Sequence, residues 1–167
     1  AGSSGLTIRR LVARACGGIG LAFTPLLSPK GVIYGTQRTR DLAATCPEDH
    51  PLAFQFYGSD PAELAEAARW AEDRGAQLID INMGCSVPKV IRNNAGSRLL
   101  CDPDATLRLV DRVVASVRHT PITAKLRLGW DDAHIVAPQL AARLEQAGVA
   151  AITIHGRTAA MKFRGNC

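Results

Sequence analysis

Short apolar runs alternate along the chain with segments in which apolar residues recur at helical spacing. The apolar runs predict five β-strands, at residues 20–24, 51–58, 78–82, 121–129 and 149–158. The helical spacing predicts four helices, at residues 6–16, 59–75, 102–119 and 132–147. Each strand reads as a nearly continuous apolar run, which is typical of strands that are buried on both faces.

The strands and helices follow each other in repeated units, and such units form parallel sheets because each parallel crossover needs a covering helix. Two architectures fit this pattern: an open, doubly wound sheet, and part of an eight-stranded barrel. No GxGxxG follows the first strand, which disfavours a dinucleotide-binding open sheet. We therefore predict an α/β fold, a partial (β/α)8 TIM barrel with about five of its eight strand–helix units present.

The composition indicates a globular chain with a slight basic surplus. Of 167 residues, 47% are hydrophobic, and 20 lysines and arginines against 15 acidic residues give a net charge of +5. This balance favours anionic partners such as nucleic acids or phosphorylated cofactors. No apolar run approaches the roughly 20 residues that span a bilayer. No signal peptide is visible, so we expect a cytoplasmic protein without a membrane partner.

The five cysteines are widely spaced and form no CxxC pair: Cys16, Cys46, Cys85, Cys101 and Cys167. This spacing argues against a zinc ribbon or a thioredoxin-type site, so no metal is expected. A cysteine in such a setting is most often a small hydrophobic residue. Cys85 differs because it closely follows a predicted strand, in the stretch DINMGCS (80–86).

Four consecutive predicted strands carry polar side chains at or just beyond their carboxyl ends, where chemistry gathers in parallel α/β barrels. In chain order these side chains are Gln55, Asn82, Cys85, Lys125, Arg127, His155 and Arg157. Each has an ordinary structural explanation by itself: a lysine can extend its stem to the rim, and a histidine can be hydrogen-bonded in the core. Their joint occurrence predicts a single site.

The residue types at these strand ends suit a flavin. Lysine or arginine can stabilise the negative charge of a reduced flavin, and glutamine and histidine can bind the carbonyls and ring nitrogens of a flat heterocycle. An ordinary thiol is mostly protonated at neutral pH, so Cys85 can serve as a general acid rather than as a nucleophile.

Five sequence motifs carry a resemblance to a known family. They are YGTQRT (34–39), FQFYGSDP (54–61), DINMGCSVPKVIRNNAGSRLL (80–100), TAKLRLGW (123–130) and TIHGRT (153–158). In their order and spacing the chain resembles the tRNA-dihydrouridine synthases, most closely the bacterial B-type branch. The resemblance implies a flavin-binding (β/α)8 barrel that is followed by a small helical domain, which helps to hold tRNA.

The same resemblance implies that residues 1–167 are an incomplete flavin-binding barrel domain. The first barrel strand, the C-terminal barrel strands and the helical tRNA-binding domain are then absent. We expect such a fragment to be a monomer and to bind FMN weakly or not at all by itself.

The resemblance also implies the reaction and the roles of the site residues. NADPH reduces FMN, the flavin passes hydride to C6 of selected uridines in tRNA, and Cys85 donates the proton to C5. The flavin-contacting positions are Gln55, Asn82, Lys125 and His155. The positions that contact the uridine or neighbouring tRNA groups are Lys89, Arg92, Asn94, Arg127 and Arg157. The target base must be turned out of the folded tRNA into a pocket, and the basic surplus then binds RNA phosphates.

Three positions depart from the family pattern. Ser86 stands where proline usually follows the cysteine, Pro25 where an acidic residue is frequent, and Met161 where glutamine is frequent. Two other functions therefore stay open. One is a different FMN-dependent barrel oxidoreductase that acts on a small molecule, and the other is an inactive, truncated paralogue.

Overall fold

The computed structural model describes residues 5–164, which form a half-barrel of five parallel strands and covering helices. The strands are β1 (Ala22–Phe23), β2 (Leu52–Phe56), β3 (Leu78–Met83), β4 (Ile122–Arg127) and β5 (Ala151–His155). The helices are α1 (Leu6–Ala15), α2 (Pro29–Ile33), α3 (Gln37–Leu42), α4 (Pro61–Glu72), α5 (Pro88–Ile91), α6 (Pro103–Val114) and α7 (Ala137–Gln146). Two 3₁₀ segments, Pro47–Asp49 and Gly96–Cys101, are also present.

The strands lie in the sheet in the order in which they occur in the chain. β1 pairs with β2, β2 with β3, β3 with β4 and β4 with β5, and every pair is parallel. A doubly wound sheet reverses its strand order at a switch point, whereas the strands of a (β/α)8 barrel follow one another without reversal. The prediction of a partial TIM barrel is therefore confirmed.

Apolar and polar residues alternate along β3 and β4, so the interpretation of these two strands as nearly continuous apolar runs is wrong. Most residues of the two strands are nevertheless buried, and buried residues lie on both faces, as that interpretation predicted. On β4, Ile122, Ala124 and Leu126 belong to the hydrophobic core, and the residues that alternate with them are polar: Thr123, Lys125 and Arg127. β3 alternates in the same way. Because successive side chains of a strand point to opposite faces, one face of the sheet packs against helices and the other carries polar groups.

The core lies between the sheet and helices α4, α6 and α7. Leu64 of α4, Val110 of α6 and Leu140 of α7 are at most 2% exposed and form one cluster with Phe56 and Ile81 of the sheet. Burying a side chain of this size stabilises a fold by about 1.5–3 kcal/mol. The helix-covered face therefore supplies stability, which leaves the other face available for chemistry.

Helices α4 and α6 begin where the sequence predicts because an aspartate caps each of them. Asp60 Oδ1 accepts hydrogen bonds from the backbone N–H groups of Ala62 and Glu63, at 2.8 and 3.0 Å. Asp102 Oδ1 accepts one from Ala105 N–H at 2.9 Å. In both helices proline occupies the first turn, where its missing N–H costs nothing.

The helix predicted at 132–147 begins later, at Ala137. A turn occupies the preceding residues: Asp131 Oδ1 lies 2.6 Å from His134 Nδ1, and Trp130 N–H donates to the His134 carbonyl at 3.2 Å. The short helices α2, α3 and α5 were not predicted, since each has at most 6 residues and shows no helical repeat of apolar positions.

Glu72, the last residue of α4, binds the segment that leads into β4. Its carboxylate accepts hydrogen bonds from the backbone N–H groups of Arg118, His119 and Thr120, at 2.9–3.1 Å. These N–H groups, His119 first, stabilise the charged form and lower the pKa of Glu72 to about 2. The contact fixes the path of the chain between α6 and β4.

We expect Glu72→Ala to lower the free energy of unfolding by about 1 kcal/mol at pH 7, because solvent screens this partly exposed group. The folded-state pKa lies below the unfolded value, so the stabilisation is present above about pH 4.5 and is lost as the pH falls through about 2. Urea denaturation of the full-length protein from pH 7 to pH 2 measures this effect. Glu66→Ala, an exposed position on the same helix, is the control. If Glu72→Ala lowers the free energy of unfolding by the same amount at pH 7 and at pH 2, the prediction is contradicted.

Candidate active site

One cavity collects side chains from the carboxyl ends of three neighbouring strands. Its volume is about 450 Å³. β3 contributes Asn82 and, just beyond the strand, Cys85; β4 contributes Lys125 and Arg127; β5 contributes His155. The structure thus brings together five of the residues that the sequence placed at strand ends.

Strand register explains why these residues meet. Asn82 pairs with Lys125 across β3 and β4, and Arg127 pairs with His155 across β4 and β5. Paired residues of neighbouring strands point to the same face and lie about 4.8 Å apart in the pairing direction. The four side chains therefore form two adjacent rows on the polar face, with the open end of the half-barrel above them.

The backbone around Cys85 is held from two sides. Asn82 Oδ1 accepts hydrogen bonds from the N–H groups of Gly84 and Cys85, at 3.2 and 2.9 Å. On the other side, the Cys85 carbonyl accepts one from Ser97 N–H at 2.9 Å. The thiol is free and partly buried. The two ends of the motif at 80–100 thus pack against each other, with Cys85 between them.

Arg127 connects the segment after β3 to the segment after β5. Its Nε donates to the Gly84 carbonyl at 2.8 Å, and its Nη1 donates to the carbonyls of Thr158 and Lys162, at 3.0 and 2.8 Å. The guanidinium also lies 5.7 Å from the ring of Phe163. Arg127 is only 4% exposed. Its predicted contact with uridine or tRNA stays a prediction; the bonds present position two loops that border the cavity.

The surroundings of His155 favour its neutral form. Burial, followed by the nearby charges of Arg127, Lys125 and Arg157, lowers the pKa of His155. Arg157 Nη1 lies 3.3 Å from His155 Nε2. Because a guanidinium can only donate, Nε2 is the acceptor and the imidazole proton resides on Nδ1. His155 can therefore offer a neutral N–H donor.

Five other predicted residues lie outside the cavity lining; one of them is Arg157, described above. Gln55 sits behind Asn82, whose Nδ2 donates to Gln55 Oε1 at 3.3 Å. Lys89, Arg92 and Asn94 are exposed on α5 and the turn that follows it. Asn94 borders a second, separate cavity of about 430 Å³. The structure thus places these three on the surface next to the Cys85 segment rather than beside the thiol.

Four residues that shape the site were not singled out from the sequence. Asp80 and Thr123 are buried on the polar face of the sheet, and Gly96 and Ser97 pack against Cys85. The period-two alternation in LIDINM (78–83) and in β4 carried the signal for the first two, because a polar residue that alternates with apolar ones belongs to the opposite face. Gly96 and Ser97 depend on a tertiary contact that the sequence does not reveal.

Within residues 5–164, no group of three or more histidine, cysteine, aspartate and glutamate side chains could hold a metal ion. In that same part of the chain, no helix is long and apolar enough to cross a membrane.

The site motifs and the fold match a known family. A family model described as dihydrouridine synthase (Dus) matches residues 1–167. The chain belongs to the dihydrouridine synthase (Dus) family. The resemblance that its motifs carry is therefore confirmed.

Curated relatives of this Dus-family chain have similar names. It is 40% identical over 166 residues to a probable tRNA-dihydrouridine synthase of Rhodobacter capsulatus, covering 99% of this chain and 50% of the relative. It is 40% identical over 148 residues to the tRNA-dihydrouridine synthases B of Xanthomonas campestris and Escherichia coli K12. Each match covers 89% of this chain; it covers 44% of the Xanthomonas protein and 46% of the Escherichia coli protein. The chain spans about half the length of the curated relatives it matches.

A solved structure supports the fold alone. A crystal structure of phosphonopyruvate hydrolase with oxalate and Mg²⁺ matches with a TM-score of 0.59 at 15% identity, covering 98% of this chain and 62% of that chain.

We expect Gly96→Ala to destabilise the protein by about 2 kcal/mol or more, because a Cβ there overlaps the Cys85 carbonyl and comes within 2.8 Å of Val90 Cγ1. The φ angle of Gly96 is 63°, which adds a backbone cost. Gly75→Ala is the matched control: its φ is 76°, and nothing lies within 4 Å of its Cβ position. Urea denaturation of the full-length protein compares the two. If Gly96→Ala and Gly75→Ala lower the free energy of unfolding equally, the close packing of Gly96 against Cys85 contributes nothing to stability.

We expect Arg127→Lys to loosen the segment after β5, because one ammonium group cannot bridge three carbonyls in fork geometry. Trypsin cleavage after Lys162 and Arg164 then becomes faster, by about fivefold or more. Arg112→Lys, an exposed position on α6, provides the comparison. If trypsin cleaves Arg127→Lys no faster than the wild-type protein, Arg127 does not hold this segment.

Proposed function

We propose that the protein is a flavin-dependent enzyme that reduces uridine to 5,6-dihydrouridine in tRNA, with FMN as cofactor and NADPH as reductant. Membership in the Dus family and the names of the relatives support this function. The observation that carries it is the arrangement of the cavity: the segment of Cys85 borders the same space as Lys125 and neutral His155.

The donor set of the cavity fits a flavin ring. Lys125 offers a cation, His155 a neutral N–H group and Asn82 an amide. A cation beside the ring stabilises the negative charge of its reduced form. Gln55, bonded to Asn82, can still offer its second amide hydrogen. When bound, FMN supplies the electrons for reduction of the uridine C5–C6 bond.

In this proposal Cys85 donates the proton to C5 of the uridine. Its backbone is fixed by Asn82 and Ser97, so rotation about its Cα–Cβ bond is what remains to place the sulfur. A general acid held in this way needs little reorganisation before it transfers a proton. Lys125 and Arg127 add positive charge next to the thiol, which favours an electron-rich substrate carbon at that point.

Basic residues near the cavity suit the tRNA substrate. Lys89 and Arg92 are exposed on the segment that follows Cys85, and Asn94 lies next to them. We assign these three, together with Arg157 and Arg127, to contacts with the uridine or the adjacent phosphates. A target base turned out into the cavity places its phosphates at this rim, and the net charge of +5 makes binding salt-sensitive.

We further propose that residues 1–167 are the flavin-barrel part of a longer, cytoplasmic and monomeric protein. The length of the relatives supports this, since the chain covers 44–50% of those described above. Additional strands that close the barrel and a helical domain that holds tRNA belong to that longer protein. Functional experiments therefore need the full-length protein.

Cys85→Ala in the full-length protein is expected to keep its bound FMN and to form dihydrouridine about 10²–10⁴-fold more slowly, because the proton donor is gone. The measurements are flavin absorbance and the dihydrouridine content of previously unmodified tRNA. Cys101→Ala, which changes an exposed cysteine, is the control and should form dihydrouridine at the wild-type rate. An unchanged rate for Cys85→Ala removes Cys85 from the acid role.

The wild-type protein tests the substrate in the same assay. Reoxidation of the NADPH-reduced flavin by unmodified tRNA supports the proposal. Reoxidation by a small enoate or pyrimidine, with no response to tRNA, assigns the protein to another class of flavin oxidoreductase.

A further inference from the structure

A buried carboxylate lies on the polar face of the sheet, below the cavity. Asp80 of β3 is 4% exposed and pairs in register with Gln55 of β2 and Thr123 of β4. Thr123 Oγ1 donates to Asp80 Oδ1, and Gln55 Nε2 donates to Asp80 Oδ2, each at 2.7 Å. Asp80 does not border the cavity, so it has no direct part in the proposed chemistry.

The hydrogen bonds continue from Asp80 to the segment that carries the thiol. Gln55 Oε1 accepts from Asn82 Nδ2 at 3.3 Å. Asn82 Oδ1 in turn accepts from the N–H groups of Gly84 and Cys85, at 3.2 and 2.9 Å. An unbroken series of donors and acceptors therefore runs from the buried carboxylate, through two side-chain amides, to the backbone of Cys85.

This series has a direction, and Asp80 sets it. An ionised carboxylate can only accept hydrogen bonds, whereas a side-chain amide has an oxygen that accepts and a nitrogen that donates. Gln55 must therefore turn its nitrogen toward Asp80 and its oxygen toward Asn82. Asn82 must then turn its nitrogen toward Gln55, so that its oxygen meets the N–H groups of Gly84 and Cys85.

The reversed orientation of the two amides breaks the series. If Gln55 presents its nitrogen to Asn82, Asn82 must answer with its oxygen, and its nitrogen then faces the N–H group of Cys85. Two donors then oppose each other, and the backbone of Cys85 loses its contact. The acceptor-only group at position 80 excludes this arrangement.

We propose that Asp80 is a positioning residue, whose carboxylate fixes the orientation of the Gln55 and Asn82 amides and thereby holds the backbone of Cys85 at the cavity. This inference rests on the proposed function only in that the positioned segment carries the proposed proton donor. The hydrogen-bond geometry itself is independent of any substrate.

The free energy of the charged group agrees with such a role. Burial raises the pKa of Asp80, so the fold disfavours the charged form at this position, while Thr123, Gln55 and the charge of Lys125 oppose that shift. An apolar residue would avoid this cost, but it could not orient the two amides.

A charge-relocation cycle tests the inference in the full-length protein without tRNA. Gln55→Glu places a second carboxylate against Asp80. While the pair shares one proton, the glutamate donates to Asp80 and accepts from Asn82 as glutamine does, but once both groups are ionised they repel each other and the series is broken. Adding Asp80→Asn then moves the acceptor-only group to position 55. The amide nitrogen of the new side chain donates to the glutamate, and the glutamate again accepts from Asn82. The readout is amide hydrogen exchange of Gly84 and Cys85, measured by NMR.

We expect exchange of these two amides in Gln55→Glu to become about tenfold faster than in the wild type once the pH is high enough to ionise both carboxylates, which their side-chain carbon shifts report. The double variant Gln55→Glu/Asp80→Asn should stay within about threefold of the wild-type rate over the same pH range. Gln55→Met breaks the series without adding charge and accelerates exchange to the same degree. Adding Asp80→Asn to Gln55→Met does not slow the exchange of Gly84 and Cys85 again. If Asp80 only contributed packing, Asp80→Asn would have the same effect on exchange in Gln55→Glu and in Gln55→Met. Slower exchange in the first variant and not in the second therefore indicates the orienting role.

Asp102→Asn is the matched control, because it removes the same charge at the cap of α6, where asparagine caps equally well. It should leave Gly84 and Cys85 unaffected. The inference is overturned if Gln55→Met leaves exchange unchanged, if Gln55→Glu with both carboxylates ionised leaves it unchanged, or if the double variant exchanges as fast as that ionised pair. Failure of the wild-type protein to form dihydrouridine overturns the proposed function and leaves this measurement unaffected.

Discussion

In-register parallel pairing of β2, β3, β4 and β5 is the constraint on which the site depends. Residues that pair across neighbouring parallel strands share one face and are close enough for their side chains to interact. This pairing brings Asn82 beside Lys125, and Arg127 beside His155, although each pair is far apart in the chain. The individual residue types are ordinary, and it is the sheet that turns them into one group.

The two faces of the sheet meet different physical requirements. The helix-covered face is apolar and contributes stability through close packing. The polar face contains charged groups that are almost fully buried, and each is satisfied: Asp80 by two side-chain donors, Arg127 by three backbone carbonyls. Satisfied buried polar groups restrict the motion of whatever they bind, which here is the backbone around the cavity. The polar face is therefore preorganised before any ligand arrives.

The sequence was sufficient for the strands and for the residues at their ends, because both follow from local patterns. Cys85, Lys125 and His155 could be grouped because each ends or follows an apolar run. Contacts that join distant segments could not be derived. The carbonyls that bind Arg127 belong to loops after two different strands, and the late start of α7 depends on a turn closed by Asp131. The alternation along β3 and β4 was visible, but reading those strands as continuous apolar runs concealed Asp80 and Thr123.

The sequential strand order has a consequence for how the molecule is built. Every strand pairs with a neighbour in the chain, so each pairing closes only the loop between consecutive strands, and sheet growth can follow synthesis from the ribosome. In that sequence of events the Cys85 segment is anchored by Asn82 and Ser97 once β3 and the following 3₁₀ segment have formed. The carbonyl ligands of Arg127 beyond β5 arrive last. In this order of assembly, the segment of the thiol is in position before the second wall of its cavity forms.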